Sequence, residues 1–179
     1  MYSEGLNRFP GGSRVFADAR VDHDLAAAFF FAFSRTEYAL KAAGWAKSGR
    51  YGEAQPDWDG LVGNFGARIF KDAEAGELTG AVAYLEANPP QQQAWNGNLL
   101  SWRPRPARPN DTRSRILIDH VKTIRNNLFH GGKELRDHAL AERDSALLNA
   151  GMTVLRHVIS LDPEVANAFS ATGTGRPVA

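Results

Sequence analysis

An all-α domain is what this sequence predicts, and three observations carry that reading. Apolar residues recur at helical spacing in several long segments, no apolar–polar alternation persists for more than a few residues, and there is no sequence repeat or heptad array. The expected architecture is a bundle built around three long helices with shorter ones inserted, about four to six in all. At 179 residues, with 43% apolar residues, the chain is long enough for one domain with a real core.

The elements follow in order. Residues 1–18 carry Gly5, Pro10, Gly11 and Gly12 and read as an irregular arm. A single domain is expected over 19–169, with a flexible tail over 170–179. The first long helix starts at Asp22 or Asp24, either of which could cap it, and is expected to run to about Gly49. Ala26, Phe30, Phe33, Leu40 and Gly44 form its expected stripe. Residues 57–71 and 74–87 are weaker helical patterns, interrupted by glycine, and Pro89 and Pro90 stop the second. From 88 to 110 the chain reads as a Pro/Arg-rich loop. The pattern then resumes at Asp111 or Thr112, with Leu117, Val121, Ile124 and Leu128 on one stripe and Gly131–Gly132 as the stop. The last long helix covers 139–160, with Leu148, Met152, Leu155 and Ile159 toward the core, and a short piece follows to Phe169.

Composition excludes some functions. There is no cysteine, so a disulfide, a thiol nucleophile and a zinc–thiolate site are out. Lys plus Arg is 21 against 20 for Asp plus Glu, a net charge of +1, which argues against a polyanion-coating protein but leaves room for a local basic patch. The longest apolar run, residues 25–33, is far shorter than the roughly 20 residues of a membrane span. The opening residues lack the apolar core of a signal peptide, so the expectation is a cytoplasmic chain with no membrane contact. His23, His120, His138 and His157 show no metal-ligand spacing, and no phosphate-cradling glycine loop follows a strand. Neither a metal nor a cofactor is expected.

The informative segment is IRNNLFHGGK, residues 124–133. At about 100° per residue, Asn126 and His130 point away from the apolar stripe, with Arg125 on the flank. A guanidinium, an amide and an imidazole can therefore converge at a helix end. Imidazole moves protons near neutral pH and guanidinium matches phosphate. RNA cleavage by its own 2′-OH needs one group to take the 2′ proton and another to protonate the leaving 5′ oxygen. One His per chain is one group short, so the chemistry favours a two-fold dimer. The plain alternative is that Arg, His and Gly merely cap a helix end.

Arg125 to His130 resembles the signature of the HEPN superfamily: Arg, a polar residue, a short spacer, then His at a helix C-terminus, with Gly131-Gly132-Lys133 a common continuation. FSRTEYALKAAG, residues 33–44, is similar to the first long helix of plasmid- and phage-associated HEPN proteins. The resemblance spans about residues 22–165, with 50–110 unmatched. It implies a HEPN-type helical bundle, usually a homodimer whose motifs face each other, and often a metal-independent endoribonuclease of toxin–antitoxin or anti-phage systems, with an antitoxin or regulatory protein as a further partner. Other members only bind nucleotides, RNA or proteins. On that resemblance Arg125 and His130 are catalytic, Asn126 is the polar residue after the Arg, and Lys133 supports them.

Two further groups complete the expected site. Glu37 falls within the first helix's stripe, and a carboxylate facing the interior needs a partner: Arg125, or Lys41 at i,i+4. Trp102, Arg103, Arg105 and Arg108 could hold single-stranded RNA through stacking and phosphate contacts, or could belong to a solvated linker. His120 is expected on or near the surface.

Overall fold

The computed structural model describes residues 22–72, 76–106, 108–130 and 138–171. The expected arm at 1–18 lies outside the described residues, as does the tail beyond Ala171. The six helices among the described residues are α1 (His23–Ala42), α2 (Trp58–Asp72), α3 (Glu77–Ala87), α4 (Arg113–His130), α5 (His138–Ser160) and α6 (Pro163–Ser170). Two small antiparallel hairpins are added, β1 (Ala46–Ser48) with β2 (Ala54–Pro56), and β3 (Gln92–Trp95) with β4 (Leu100–Arg103). No helix among the described residues is long and apolar enough to cross a membrane.

The start of α1 follows its sequence signal. The Asp22 carboxylate accepts from the amides of Asp24 (2.9 Å) and Leu25 (3.0 Å), satisfying two orphan donors of the first turn. Its end comes earlier than expected. Gly44 adopts φ +88°, the amide of Trp45 donates to Leu40 O (2.8 Å) and that of Gly44 to Lys41 O (3.3 Å). This double bond around a left-handed glycine is a Schellman stop, so Ala46 onward is free to pair as β1. The buried stripe keeps Phe33 and Leu40 but takes Phe29 in place of Phe30. Phe29, Phe33, Thr36 and Leu40 face the core, whereas Phe30 is exposed and Gly44 lies past the helix. Three consecutive phenylalanines leave the register open to a periodicity argument, and packing selects Phe29.

In α4 the expected stripe holds for Leu117, Val121 and Ile124, with Leu128 half-buried. In α5 the core side is Leu147, Leu148, Val154, Leu155 and Val158, and Met152 and Ile159 flank it half-buried. The helix α5 packs against α3, α1 and α4, while α2 lies on α4 and α6 on α1. Arg35 of α1 fastens that last contact by donating to the carbonyls of Phe169 (2.9 Å), Ala168 (3.1 Å) and Ala171. These are orphan acceptors at the C-terminus of α6, where a cation is favoured. The indole of Trp45 donates to Asp162 (2.8 Å), the residue whose side chain also caps the start of α6.

The segment 88–110 is not wholly a loop. Its middle forms the β3–β4 ribbon, with Gln92 opposite Arg103 and Trp95 opposite Leu100. The turn is closed by Asn96, whose side-chain oxygen accepts from the amides of Asn98 (3.1 Å) and Leu99 (2.8 Å), with Gly97 at φ +95°. Pro89 and Pro90 precede the first strand and Pro104 follows the second, so the prolines bound the ribbon and do not interrupt it. Strands of four residues are too short for alternation to announce them.

The three long helices meet at Gly151 of α5. A methyl group there would sit 2.8 Å from Phe29 Cε2 of α1 and 3.5 Å from Ile124 Cδ1 of α4. Gly151→Ala is expected to cost about 1–3 kcal/mol through overpacking. Urea unfolding checks this: the midpoint should fall with the m value unchanged.

Candidate functional site

The C-terminal end of α4 carries the expected residues. Arg125 lies half-buried, its guanidinium carbon 5.7 Å from the ring centre of Phe33 and 5.5 Å from that of Phe129. Its Nη1 donates to Asn126 Oδ1 at 3.1 Å, and Asn126 is exposed. The guanidinium thus lies on aromatic faces while a neutral amide orients one of its donors. No carboxylate pairs with it among the described residues. His130 is the last described position of α4; its side chain and the expected stop at Gly131–Gly132 lie outside what is described. Lys133 also lies outside the described residues.

Adjacent asparagines divide the labour. Asn127 points inward and is buried, its amide donating to Gln91 O at 2.8 Å. It therefore ties α4 to the foot of the β3–β4 ribbon. Its place in the sequence gives a usable signal, three residues after Ile124 and next to Leu128, on the core side of the wheel.

Glu37 has neither expected partner. Among the described residues Arg125 and Lys41 both lie beyond ion-pair distance, and Glu37 Oε1 instead accepts a long 3.5 Å hydrogen bond from Trp58 Nε1. Trp58 packs on Phe33 (5.8 Å between ring centres), whose ring also carries Arg125. The carboxylate consequently supports the aromatic wall under the guanidinium and does not touch the guanidinium itself.

The arginines after β4 part company. Arg105 is 10% exposed at its side chain and bound on both sides, to Asp111 (2.7 and 2.9 Å) and to Asp119 (2.5 Å). It is a structural clamp between the ribbon and α4, not a surface cation ready for RNA. Beside this guanidinium the Asp111 carboxyl is held far below the usual carboxylate range. Arg108 stays exposed, 4.0 Å from Asp119, and its amide donates to Asp111 (2.8 Å). Arg103 is exposed on β4, and Trp102 is half-buried there opposite Gln93.

His120 is not a surface residue. It is only 7% exposed, and its Nδ1 has no hydrogen-bond partner among the described residues. Three residues after Leu117 and four before Ile124, it occupies the buried side of α4. Burial, and then the nearby Arg105 charge, push its pKa below the ordinary value, against the opposing pull of Asp119 and Glu86. Two cavities of about 470 and 440 Å³ lie elsewhere, between α2, α3 and the start of α4. Their shared wall is Arg113, laid over Phe70 at 4.1 Å and paired with Glu86 at 2.6 and 2.8 Å, so that guanidinium is already neutralised within the chain.

No family model matches the chain, and neither a curated protein nor a solved structure shows significant similarity to it.

Two outcomes follow from the buried groups. The folded state holds His120 neutral, so the unfolded chain carries more protons between the depressed value and the ordinary one near 6.5. Stability from this group is present above that window and is lost as pH falls through it. Thermal melts from about pH 8 to about pH 5 should therefore show a steeper fall in Tm for wild type than for His120→Gln. Removing the clamp with Arg105→Ala should lower Tm by roughly 3–6 °C and expose the 88–110 segment to limited proteolysis.

Proposed function

We propose that this chain is a HEPN-type, metal-independent endoribonuclease. The observation that carries the reading is the pairing of Arg125 and Asn126 at the solvent end of α4, in the turn that closes at His130. The mostly helical architecture agrees with such a domain.

In this reading Arg125 binds the scissile phosphate, and its charge stabilises the extra negative charge that builds as the neighbouring 2′-oxygen attacks phosphorus. Asn126 holds the guanidinium in the required orientation. One His130 imidazole accepts the 2′ proton, and the imidazole of a second copy gives a proton to the departing 5′ oxygen. The P–O5′ bond breaks, leaving a 2′,3′-cyclic phosphate and a 5′-hydroxyl. A homodimer is thus part of the proposal, as is a role in toxin–antitoxin or anti-phage defence, under control of an antitoxin or regulatory protein. The guanidinium resting on aromatic rings also suits a second reading, a HEPN dimer that binds nucleotide, RNA or a protein without cleavage.

The test is cleavage of a mixed RNA pool in the presence of EDTA. Wild type should cleave and leave cyclic-phosphate ends, and His130→Ala and Arg125→Ala should each lose roughly 100-fold or more in rate. A folded, dimeric wild type that leaves the pool intact would shift the assignment to the binding module.

A further inference from the structure

Beside the motif, three phenylalanine rings form a row at the surface. Phe31 and Phe129 are each 64% exposed and Phe30 is 38% exposed. Phe31 meets Phe30 edge-on, with 6.1 Å between ring centres, and Phe30 lies nearly parallel to Phe129 at 6.3 Å and 19°. The Arg125 guanidinium ends the row, 5.5 Å from the Phe129 ring centre. Two helices supply these rings, and their buried sides are locked together through Phe29, Phe33 and Ile124. The row is therefore carried on rigid elements, the arrangement that a recognition surface needs.

Its chemistry is two-part. One end is a cation whose hydrogen bond goes to a neutral amide, and the rest is flat, aromatic and open to solvent. A ligand that complements both parts carries anions and planar rings along its length, which describes a single-stranded nucleic acid. We propose that the row is a base-stacking subsite for single-stranded RNA, with an unpaired nucleobase lying against the exposed Phe31 while a phosphate farther along the same strand meets Arg125. The proposal rests on the reading of the α4 end as a site that handles RNA. A duplex would hide its bases from such a row, so unpaired segments are selected. Stacking uses the π-face common to all four bases, so the subsite tolerates any sequence.

A second copy of the chain is the competing occupant. Among the described residues the row ends in a cation and supplies no carboxylate, so an identical row offers it no charge complement, whereas an RNA phosphate entering between the facing motifs does.

The experiment is equilibrium binding of a short, non-cleavable 2′-O-methyl oligoribonucleotide, intact and with one abasic residue stepped along it. Wild type, Phe31→Ala and the milder Phe129→Leu are compared, and dimer content is followed by sedimentation. Phe31→Ala should weaken binding roughly ten-fold, with Phe129→Leu affected less. An abasic residue at one position should cost wild type a similar factor and cost Phe31→Ala nothing further. Unchanged affinity in Phe31→Ala overturns the subsite. So does an abasic penalty equal in both proteins, or an affinity loss that follows loss of the dimer. Tight binding through the row by a protein that never cleaves RNA would sink the nuclease and leave the subsite standing. A wild type that binds no oligomer would end both.

Discussion

At Gly151 the α5 backbone comes close enough to Phe29 that no side chain fits between them, and Ile124 closes the same gap from α4. Close approach of three helices at one point fixes how far each can rotate or slide. Phe29 must face in, which sends Phe30 and Phe31 outward. Ile124 must face in, which leaves Arg125 and Asn126 on the flank and at the surface. The disposition of the motif is thus a consequence of core packing nearly two turns away from its last residue. Dense interiors transmit such constraints because they have no slack in which a helix could turn.

Much of this was legible in the sequence. The helix α4 announced itself by Leu117, Val121 and Ile124. The start of α1 was written as an aspartate whose carboxylate caps the first amides. Elsewhere several registers fitted equally well. With phenylalanine at 29, 30, 31 and 33, helical spacing alone cannot select every buried ring, and the partner of Glu37, the Trp58 indole, comes from another helix. The two ribbons were missed because strands of three or four residues carry almost no periodic signal. Arg105 was misplaced for a different reason. Its partners Asp111 and Asp119 are visible only after α4 has been folded beside the ribbon, and a proline-flanked arginine reads as a surface residue until then. At the candidate site, the convergence of Arg125 and Asn126 was legible, whereas the aromatic surroundings of Arg125 were not, because Phe33 and Phe129 come from different helices.

Charge is handled economically around α4. Arg105 and Arg113 each have carboxylate partners, and Asp119 and Glu86 lie close enough to act on His120. Arg125, at the other end of the same helix, has an amide and two rings. A buried or half-buried cation is usually neutralised within the fold, since desolvation disfavours it otherwise. Among the described residues, the Arg125 end of the helix is thus the end whose cation has no carboxylate beside it.

The β3–β4 ribbon is fastened at both feet, by Asn127 to Gln91 O on one side and by Arg105 to Asp111 and Asp119 on the other. Loop closure is thereby fixed on α4 itself, and extending the stretch between the feet adds entropy only slowly with length. The segment behaves as an exchangeable cassette. The ribbon tip around Gly97 can therefore be lengthened, shortened or replaced without disturbing the helices, and it is where a reporter peptide is best grafted.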